Sequence, residues 1–523
     1  MKLISFLSAL ILLFSCHQKR LENTYLGTVN LHVSGNNTAL PYFEKGLLLL
    51  HSFEYSDARE EFLKAQEADP KMGMAYWGEA MTYNHAIWHE QDYEKGRLTL
   101  QKLKLMDSLK LDSELEKEFI NAVEILYQAD LSKNERDQNY ADYMERLYKK
   151  YPESHEIAAF YALALLGSVS DGRDDNIYGH GAIVAKSILA QNPKHPGALH
   201  YLIHSYDDPD HARLALDAAD SYSKVAPDAS HALHMPSHIY VALGMWDEVV
   251  ASNEHSYQAS LNRMERKKLD NDERGYHAFH WLEYGYLQQD RTEDARKLVL
   301  DMEKYSKETP SKRVRAHMVY LKGTFLVETN LWNDPIADIE VVVSDLNISE
   351  RTQYNFIEGM KTYSKGEKEK LDEIIEMIRF DYEKEALFVV ESGITVCSNL
   401  TSQVATQSNI DESKTMEFQL RGLRAWMDND SETTERWLKK SIELEDALSY
   451  SFGPPVIQKP TRELYAEWLL ENNRPDEALY QFEQTLKRAP KRMLALKGKD
   501  KAENQISSVS MHQEDKLTKK EPV

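Results

Sequence analysis

Apolar residues recur along most of the chain at intervals of three and four positions, whereas the alternation of apolar and polar residues typical of strands is scarce. Such spacing places apolar side chains on one face of an α-helix, which has about 3.6 residues per turn. Only 21 glycines and 16 prolines interrupt 523 positions. The pattern therefore predicts an all-α protein.

The helical segments repeat with a period of 34 residues, which is the interval between Pro193 and Pro227. The unit that begins at Ala39 has large residues at positions 4 and 24, small residues at 8, 20 and 27, and proline at 32: Tyr42, Phe62, Gly46, Ala58, Ala65 and Pro70. This spacing resembles the tetratricopeptide repeat. Further units begin at Gly73, Pro196, Ser230, Tyr276 and near Ala316, and Ala478, Phe482 and Pro490 restore the pattern near the C-terminus.

The resemblance implies a tetratricopeptide-like α-solenoid, in which helical hairpins stack into a right-handed superhelix. Small residues let the two helices of a hairpin approach, and large residues fill the seam between hairpins. The first helix of each unit lines the concave wall, through positions 2, 5, 9, 12 and 13. The expected organisation is a signal peptide (1–15), a linker (16–38), an N-terminal repeat region (39–168), central units with the groove (169–345), an irregular helical region (346–414), C-terminal units with a capping helix (415–506) and a disordered tail (507–523).

Seven histidines fall in three short bursts, and the repeat register places all of them on concave positions. His200 and His204, like His234 and His238, are four residues apart, so each pair lies on one helix face one turn apart. Imidazoles in this arrangement are typical ligands of a divalent ion. We therefore predict a metal site formed by His200, His204, His234, His238 and His280. Zinc is favoured, and copper or iron also fits histidine without thiolate.

Other polar and aromatic side chains are predicted to line the same groove and to contact a ligand. They are Trp77, His85, Asp207, Asp208, His231, His277, Glu283 and Tyr284. Three functions stay open: a scaffold or binding protein that holds a metal or an anionic ligand, a metal-dependent hydrolase with Asp207, Asp208 or Glu283 as base, and a scaffold whose groove grips a peptide without metal. No HExxH, CxxCH or P-loop sequence occurs to decide between them.

Three residues depart from the repeat pattern near the histidines. Pro236 falls inside a first helix, where proline costs about 3 kcal/mol, and Asn253 and Glu283 occupy positions that are normally packed and apolar. Such irregularities are commoner near functional sites. The segment 195–246 is also similar to a group of bacterial tetratricopeptide proteins with HPGALHYLIHSYDDP and HALHMPSH sequences, a resemblance that transfers no activity and no residue role.

The N-terminus predicts export. Lys2 precedes an apolar run of signal-peptide length, and the sequence LFSC that ends at Cys16 resembles a bacterial lipobox. This run of twelve residues, Leu3 to Phe14, is too short to span a membrane as a helix. The resemblance implies that Cys16 is lipidated and anchors the protein in the cell envelope, periplasmic or outer-membrane facing. Cys397 is then the sole cysteine left, so no intramolecular disulfide forms.

The composition of the chain limits the classes of partner that it is expected to bind. The chain carries 85 acidic and 63 basic residues, a net charge of −22, which argues against nucleic acid because no basic excess is present to neutralise phosphates. A protein or peptide in the groove and a membrane at the lipid anchor are the expected partners. With 42% hydrophobic residues the chain can bury a large apolar interior, but it is too long for one compact core.

Overall fold

The computed structural model of the protein describes residues 25–518 except 107, 171, 388 and 390–404. The predicted signal peptide, Cys16 and Cys397 lie outside the described residues. Among the helices within the described ranges, none is both long and apolar enough to cross a membrane.

The described residues form 23 α-helices, three short 3-10 helices and one two-stranded antiparallel sheet. The helices are α1 (Leu40–His51), α2 (Tyr55–Ala68), α3 (Gly73–Met81), α4 (Tyr93–Lys104), α5 (Glu114–Ile125), α6 (Lys133–Lys150), α7 (His155–Ser168), α8 (Asp175–Leu189), α9 (Pro196–Ser205), α10 (Leu216–Val225), α11 (Ser230–His234), α12 (Pro236–Leu243), α13 (Trp246–Lys267), α14 (Tyr276–Gln288), α15 (Thr292–Glu308), α16 (Lys312–Thr329), α17 (Ile348–Ser364), α18 (Lys368–Ala386), α19 (Gln407–Met427), α20 (Ser431–Ala447), α21 (Thr461–Glu471), α22 (Pro475–Arg488) and α23 (Met493–Thr518); the strands are β1 (Asn84–His85) and β2 (Glu90–Gln91), and the 3-10 helices are Ala212–Ala215, Asn271–Glu273 and Pro335–Asp338.

Consecutive helices pack against each other along the chain, and alternate helices also meet, as α1 meets α3 and α14 meets α16. The first repeat shows the predicted packing of small against large residues. A Cβ placed on Gly46 would lie 2.8 Å from the Phe62 ring, so position 46 requires glycine or a residue as small. Ala58 and Phe62 are fully buried in the same seam. The predicted all-α solenoid of helical hairpins is therefore confirmed.

The solenoid curls back on itself at two places. Helix α1 contacts α9, which closes the N-terminal part around the end of α1. Near the C-terminus, the Trp246 indole nitrogen donates to the Lys491 carbonyl at 3.0 Å, and the backbone nitrogen of Met493 donates to Gln288 at 2.8 Å. Buried apolar side chains form two clusters: the first reaches Val249 and also includes Trp281 of α14, and the second begins at Val250. Helices α11 and α12 thus lie close to this division.

Three predicted segments can be compared with the helices. Within residues 346–414, predicted to be an irregular helical region, α17 and α18 are regular helices, and α19 begins at Gln407. Residues 507–518, for which disorder is expected, continue α23. Pro236 is the first residue of α12, a position where its missing N–H costs no helical hydrogen bond, so α11 and α12 are two short helices rather than one distorted helix.

Candidate metal centre

The first imidazole group comprises His200 and His204 on α9 and His231 on α11. One ring nitrogen of each lies within 4.8 Å of the other two. The His200 Nδ1 donates to the His51 carbonyl at 2.8 Å, and the His204 Nδ1 to Asp207 Oδ2 at 3.1 Å. The Nε2 atoms of all three histidines are buried and have no hydrogen-bond partner among the described residues. Three ring nitrogens are therefore available to one ligand.

The second imidazole group comprises His234 on α11, His238 on α12 and His277 on α14, again with one ring nitrogen of each within 4.8 Å of the others. The His234 Nδ1 contacts Asn253 Oδ1 at 2.7 Å, and the His238 Nδ1 contacts Asp207 Oδ2 at 3.3 Å. The Nε2 atoms of His234 and His238 face each other at 3.2 Å. Asn253, one of the irregular residues of the repeat, thus orients a ring of this group.

The contact between these two Nε2 atoms is unfavourable in the neutral protein. The Asn253 amide nitrogen donates to the Val249 carbonyl at 2.8 Å, which fixes Oδ1 as the acceptor for His234, and the Asp207 carboxylate is an acceptor for His238. A neutral imidazole that donates from Nδ1 carries a lone pair on Nε2. Two lone pairs therefore face each other at 3.2 Å. A tetrahedral ion with metal–nitrogen distances of about 2.0–2.1 Å separates two ligand nitrogens by about 3.3 Å.

The protein holds these rings in the neutral form that binds metals. Burial lowers the pKa of His234 to about 4, against an ordinary 6.5. Burial, and to a smaller extent the neighbouring imidazoles, also lower the pKa of four other rings well below the ordinary 6.5. These rings are those of His200, His231, His238 and His277. Because a metal ligand must be deprotonated, no proton has to be displaced from these rings at neutral pH.

Asp207 joins the two groups. Its Oδ2 accepts from His204 of the first group and from His238 of the second. The Arg173 guanidinium lies 3.8 Å from Asp207 Oδ1 and 2.9 Å from the adjacent Asp208, whose carboxylate also accepts from His211 Nδ1 at 2.9 Å rather than from a ring of either group. Of the two predicted aspartates, the structure thus places Asp207 against the imidazole groups and Asp208 in an ion pair beside them.

Aromatic rings enclose both groups. The Phe53 ring centroid lies 4.2 Å from that of His200, and Trp281 stacks on His238 at 4.6 Å. Phe452 lies in the loop that connects α20 to α21, and its ring centroid is 4.5 Å from that of His238. The sequence offered no signal for Phe452, because it comes from a loop more than 200 positions away. These contacts place the ring nitrogens in a largely apolar interior.

A third cluster, which the sequence analysis missed, supports the first group. His51 Nε2 contacts Glu156 Oε2 at 2.7 Å, and His195 Nε2 contacts Glu156 Oε1 at 3.2 Å. Their Nδ1 atoms are also engaged, at 2.9 Å with the Tyr201 hydroxyl and at 3.1 Å with the Ala198 backbone nitrogen. Every ring nitrogen of this cluster therefore has a protein partner. His51 stands at concave position 13 of the first repeat, a signal that could have identified it.

The electrostatics of Glu156 follow from these two partners. Burial acts to raise the pKa of this carboxyl, but His195 and His51 together lower it below its ordinary value. The cluster is thus a buried carboxylate between two imidazoles, and it fixes the end of α1 whose carbonyl accepts from His200. We interpret it as a support for the first imidazole group, because every ring nitrogen of the cluster already has a protein partner.

Predicted residues on the later units lie elsewhere. His280 is outside both imidazole groups, because its Nε2 contacts the Thr324 hydroxyl at 3.0 Å and its ring stacks on Tyr320. The single point of convergence expected for five histidines is therefore not formed. Tyr284 accepts from Arg492 at 3.2 Å, in a buried ion-pair network with Glu463.

The two N-terminal residues predicted to contact a ligand have different surroundings. Trp77, predicted to contact a ligand, is 1% exposed and packs on Phe119 and Phe160 in the apolar core. His85, at the β1–β2 hairpin, stacks on Tyr55 at 4.0 Å. The Trp88 ring of the same hairpin meets the His231 ring edge to face, with 6.0 Å between the ring centroids. This insertion into the repeat therefore lies beside the first imidazole group.

The Glu283 carboxyl group is buried without a hydrogen-bond donor or a cation beside it among the described residues. It lies on α14 with no exposed surface, and neither carboxylate oxygen has a hydrogen-bond partner among the described residues. Burial first, and the nearby Glu328 carboxylate second, raise the pKa of Glu283 well above 4.5. A raised carboxyl pKa contributes stability that is complete below the unfolded-state pKa and is lost as pH rises toward the folded-state pKa.

Glu283→Gln is therefore expected to unfold at a higher temperature than the natural protein at pH 7.5, and at a similar temperature near pH 4. The advantage should grow by about 1.4 kcal/mol per pH unit while the folded carboxyl stays protonated and the unfolded one is ionised. Thermal unfolding followed by circular dichroism from pH 4 to 8 measures it, with Glu293→Gln, at an exposed position, as control. An unfolding difference that does not vary with pH contradicts the assignment.

Comparisons with known proteins identify no family. No protein-family model matches the chain, and no curated protein matches it. Solved structures with similar folds include yeast Tom70 (11% identity, 93% of this chain and 92% of that chain, TM-score 0.33), a human IFIT1 dimer with PPP-AAAA (12%, 90% and 96%, 0.38) and the TPR domain of P58(IPK) (14%, 90% and 99%, 0.21). At TM-scores this low the likenesses carry no argument about the site.

Proposed function

We propose that this protein binds a transition metal through its two imidazole groups. The observation that carries the proposal is that three ring nitrogens lie within 4.8 Å of one another in each group, and that the buried Nε2 atoms of His200, His204, His231 and His277 have no hydrogen-bond partner among the described residues. A bound cation would satisfy these nitrogens and leave the Nδ1 hydrogen bonds of His200, His204, His234 and His238 intact. Acceptors opposite the ligand nitrogen are typical of metal-binding histidines, because they fix the ring and raise its basicity.

The chemistry of the ligands limits the choice of metal. Each group offers three imidazole nitrogens and no thiolate, which suits zinc, copper or non-haem iron and disfavours calcium and magnesium. Three protein ligands leave a fourth position for water or another small ligand. The aromatic enclosure by Phe53, Trp281 and Phe452 would limit the access of solvent to that position.

The hydrolase alternative has less support. Asp207 is occupied by two imidazole rings and Asp208 by Arg173 and His211, so neither carboxylate is free to accept a proton from water. Burial favours the protonated form of Glu283, which is not a base. A groove that grips a peptide through these histidines is also disfavoured, because most of the rings are buried.

The proposal includes a place for the protein in the cell. The lipobox-like sequence supports export and anchoring through Cys16, so the metal would be held in the cell envelope, outside the cytoplasm. The helical-hairpin fold is also compatible with a protein partner on its concave surface.

The test is metal binding by the mature chain purified without a histidine tag. We expect tight binding of at least one zinc ion, and a thermal unfolding midpoint that rises with zinc and falls with a chelator. Zinc at 100 times its Kd should stabilise the fold by about 2.7 kcal/mol. Elemental analysis and thermal scans with and without zinc or copper measure both. Absence of bound metal together with an unchanged midpoint would falsify the proposal.

A further inference from the structure

The two imidazole groups are parts of one continuous cluster. A ring nitrogen of His204, a ring nitrogen of His238 and a carboxylate oxygen of Asp207 lie within 4.8 Å of one another. The ring centroids of His231 and His234, which belong to different groups, are 6.1 Å apart. Two ions held by the two groups would therefore be neighbours, separated by ligand rings and by one shared carboxylate.

The oxygen atoms that face the ligand rings carry little charge. The His200 and His234 rings donate to a backbone carbonyl and to the Asn253 amide, both neutral, and His204 and His238 share the Asp207 carboxylate. Six neutral imidazoles and one contacting carboxylate would surround two ions. Two divalent ions would leave a net charge of about +3 on this assembly, and two monovalent ions about +1.

Carboxylates farther from the rings are engaged by other groups. Asp208 pairs with Arg173, and Glu156 lies between the His51 and His195 rings. Glu54 accepts from the Ser230 hydroxyl and from the backbone nitrogen of His231, both at 2.9 Å, which places it at the start of α11 rather than on a ligand ring. Their charges reduce the imbalance from a distance without bonding to the metal ligands.

Charge then discriminates between metals. At a fixed separation the repulsion between two divalent ions is four times that between two monovalent ions. Solvent screens this repulsion weakly in a cluster that Phe53, Trp281 and Phe452 enclose. Copper is the metal suited to imidazole that has a stable monovalent state, and three nitrogens complete a trigonal shell for copper(I).

We infer that the two imidazole groups form one dinuclear centre that takes a pair of copper(I) ions but only a single zinc(II) ion tightly. The inference rests on the proposed function and adds the identity and number of the metal ions. Each group supplies one copper(I) with three imidazoles, and Asp207 is a positioning residue that serves both.

Anaerobic titration of the full mature chain tests the stoichiometry. Copper(I) is supplied against the chromophoric chelator bicinchoninate, and zinc(II) is supplied in a parallel titration against a zinc-binding dye. We expect two tightly bound copper(I) ions per chain, but one tight zinc ion, with a second zinc bound at least about 100-fold more weakly. His200→Ala, in the first group, should reduce the copper count from two to one and leave the tight zinc ion.

The contribution of Asp207 is tested by its isosteric replacement. Asp207→Asn keeps an oxygen acceptor and removes the charge, so each copper(I) should bind about 10–100-fold more weakly. Asp208→Asn is the matched control, because that carboxylate pairs with Arg173 and His211 rather than with a ligand ring. The control should leave both copper affinities within about twofold. Thermal unfolding of the metal-free variants separates lost binding from lost folding.

The outcomes distinguish this inference from the proposed function. Binding of neither copper(I) nor zinc(II) overturns both. Two zinc ions bound with equal affinity, or a single copper(I) ion in the folded natural protein, overturns the dinuclear copper assignment and leaves a metal-binding protein. An Asp207→Asn variant with unchanged copper affinities contradicts the positioning role of Asp207.

Discussion

Replacing His238 by alanine is expected to weaken the binding of copper(I) by the second imidazole group by at least about 100-fold, a larger loss than that expected for Asp207→Asn. The change removes one of the two Nε2 atoms that face each other at 3.2 Å and leaves the second imidazole group with His234 and His277. It also removes one of the two rings that donate to Asp207. Competition with a chromophoric chelator measures the loss.

His280→Ala is the matched control for this experiment. His280 is also a buried helical imidazole, and burial lowers its pKa to about 3, but its ring bonds to Thr324 and lies outside both groups. The control variant should bind both copper(I) ions within about twofold of the natural protein. The metal-free His238→Ala protein should remain folded, because the substitution also removes a repulsive contact. Two copper(I) ions bound with natural affinity by His238→Ala would show that the second ion is bound elsewhere.

Replacing Glu156 by alanine is expected to cost about 3–5 kcal/mol of folding free energy, the largest loss of stability. The substitution leaves the buried rings of His51 and His195 without their shared acceptor. It also loosens the end of α1, whose carbonyl accepts from His200, so metal affinity should fall as well. Thermal and urea unfolding of the metal-free protein measure the loss of folding free energy separately from the loss of metal affinity.

The pH dependence gives this prediction a second readout. Because the pKa of Glu156 is lowered in the folded protein, its contribution to stability is complete above the ordinary value of 4.5 and is lost as pH falls below it. The stability of Glu156→Ala should therefore lack this loss between pH 4.5 and lower pH. Glu153→Ala, at an exposed position just before α7, should keep the loss and unfold like the natural protein. Equal stability of Glu156→Ala and the natural protein at pH 7 would contradict the support role.

The repeat pattern predicted the solenoid because helix faces and close approaches are local properties. Small residues such as Gly46 and Ala58 must stand where two helices touch, and their spacing is therefore visible in the chain. The pattern predicted helix over 346–414 without a repeat register, because the sequence there departs from the repeat consensus while keeping a helical period. The insertion after α3 had no repeat register, so the place of Trp88 beside His231 was not predictable.

The sequence by itself determined the helical hairpins and the histidine pairs four residues apart, because both depend on the turn of a single helix. Only the tertiary structure decided that His231 and His277 complete the groups while His280 does not, and that Asp207 serves both. These choices depend on the curl of the solenoid and on how α9, α11, α12 and α14 cross. Such relations join residues distant in the chain, and no local spacing encodes them.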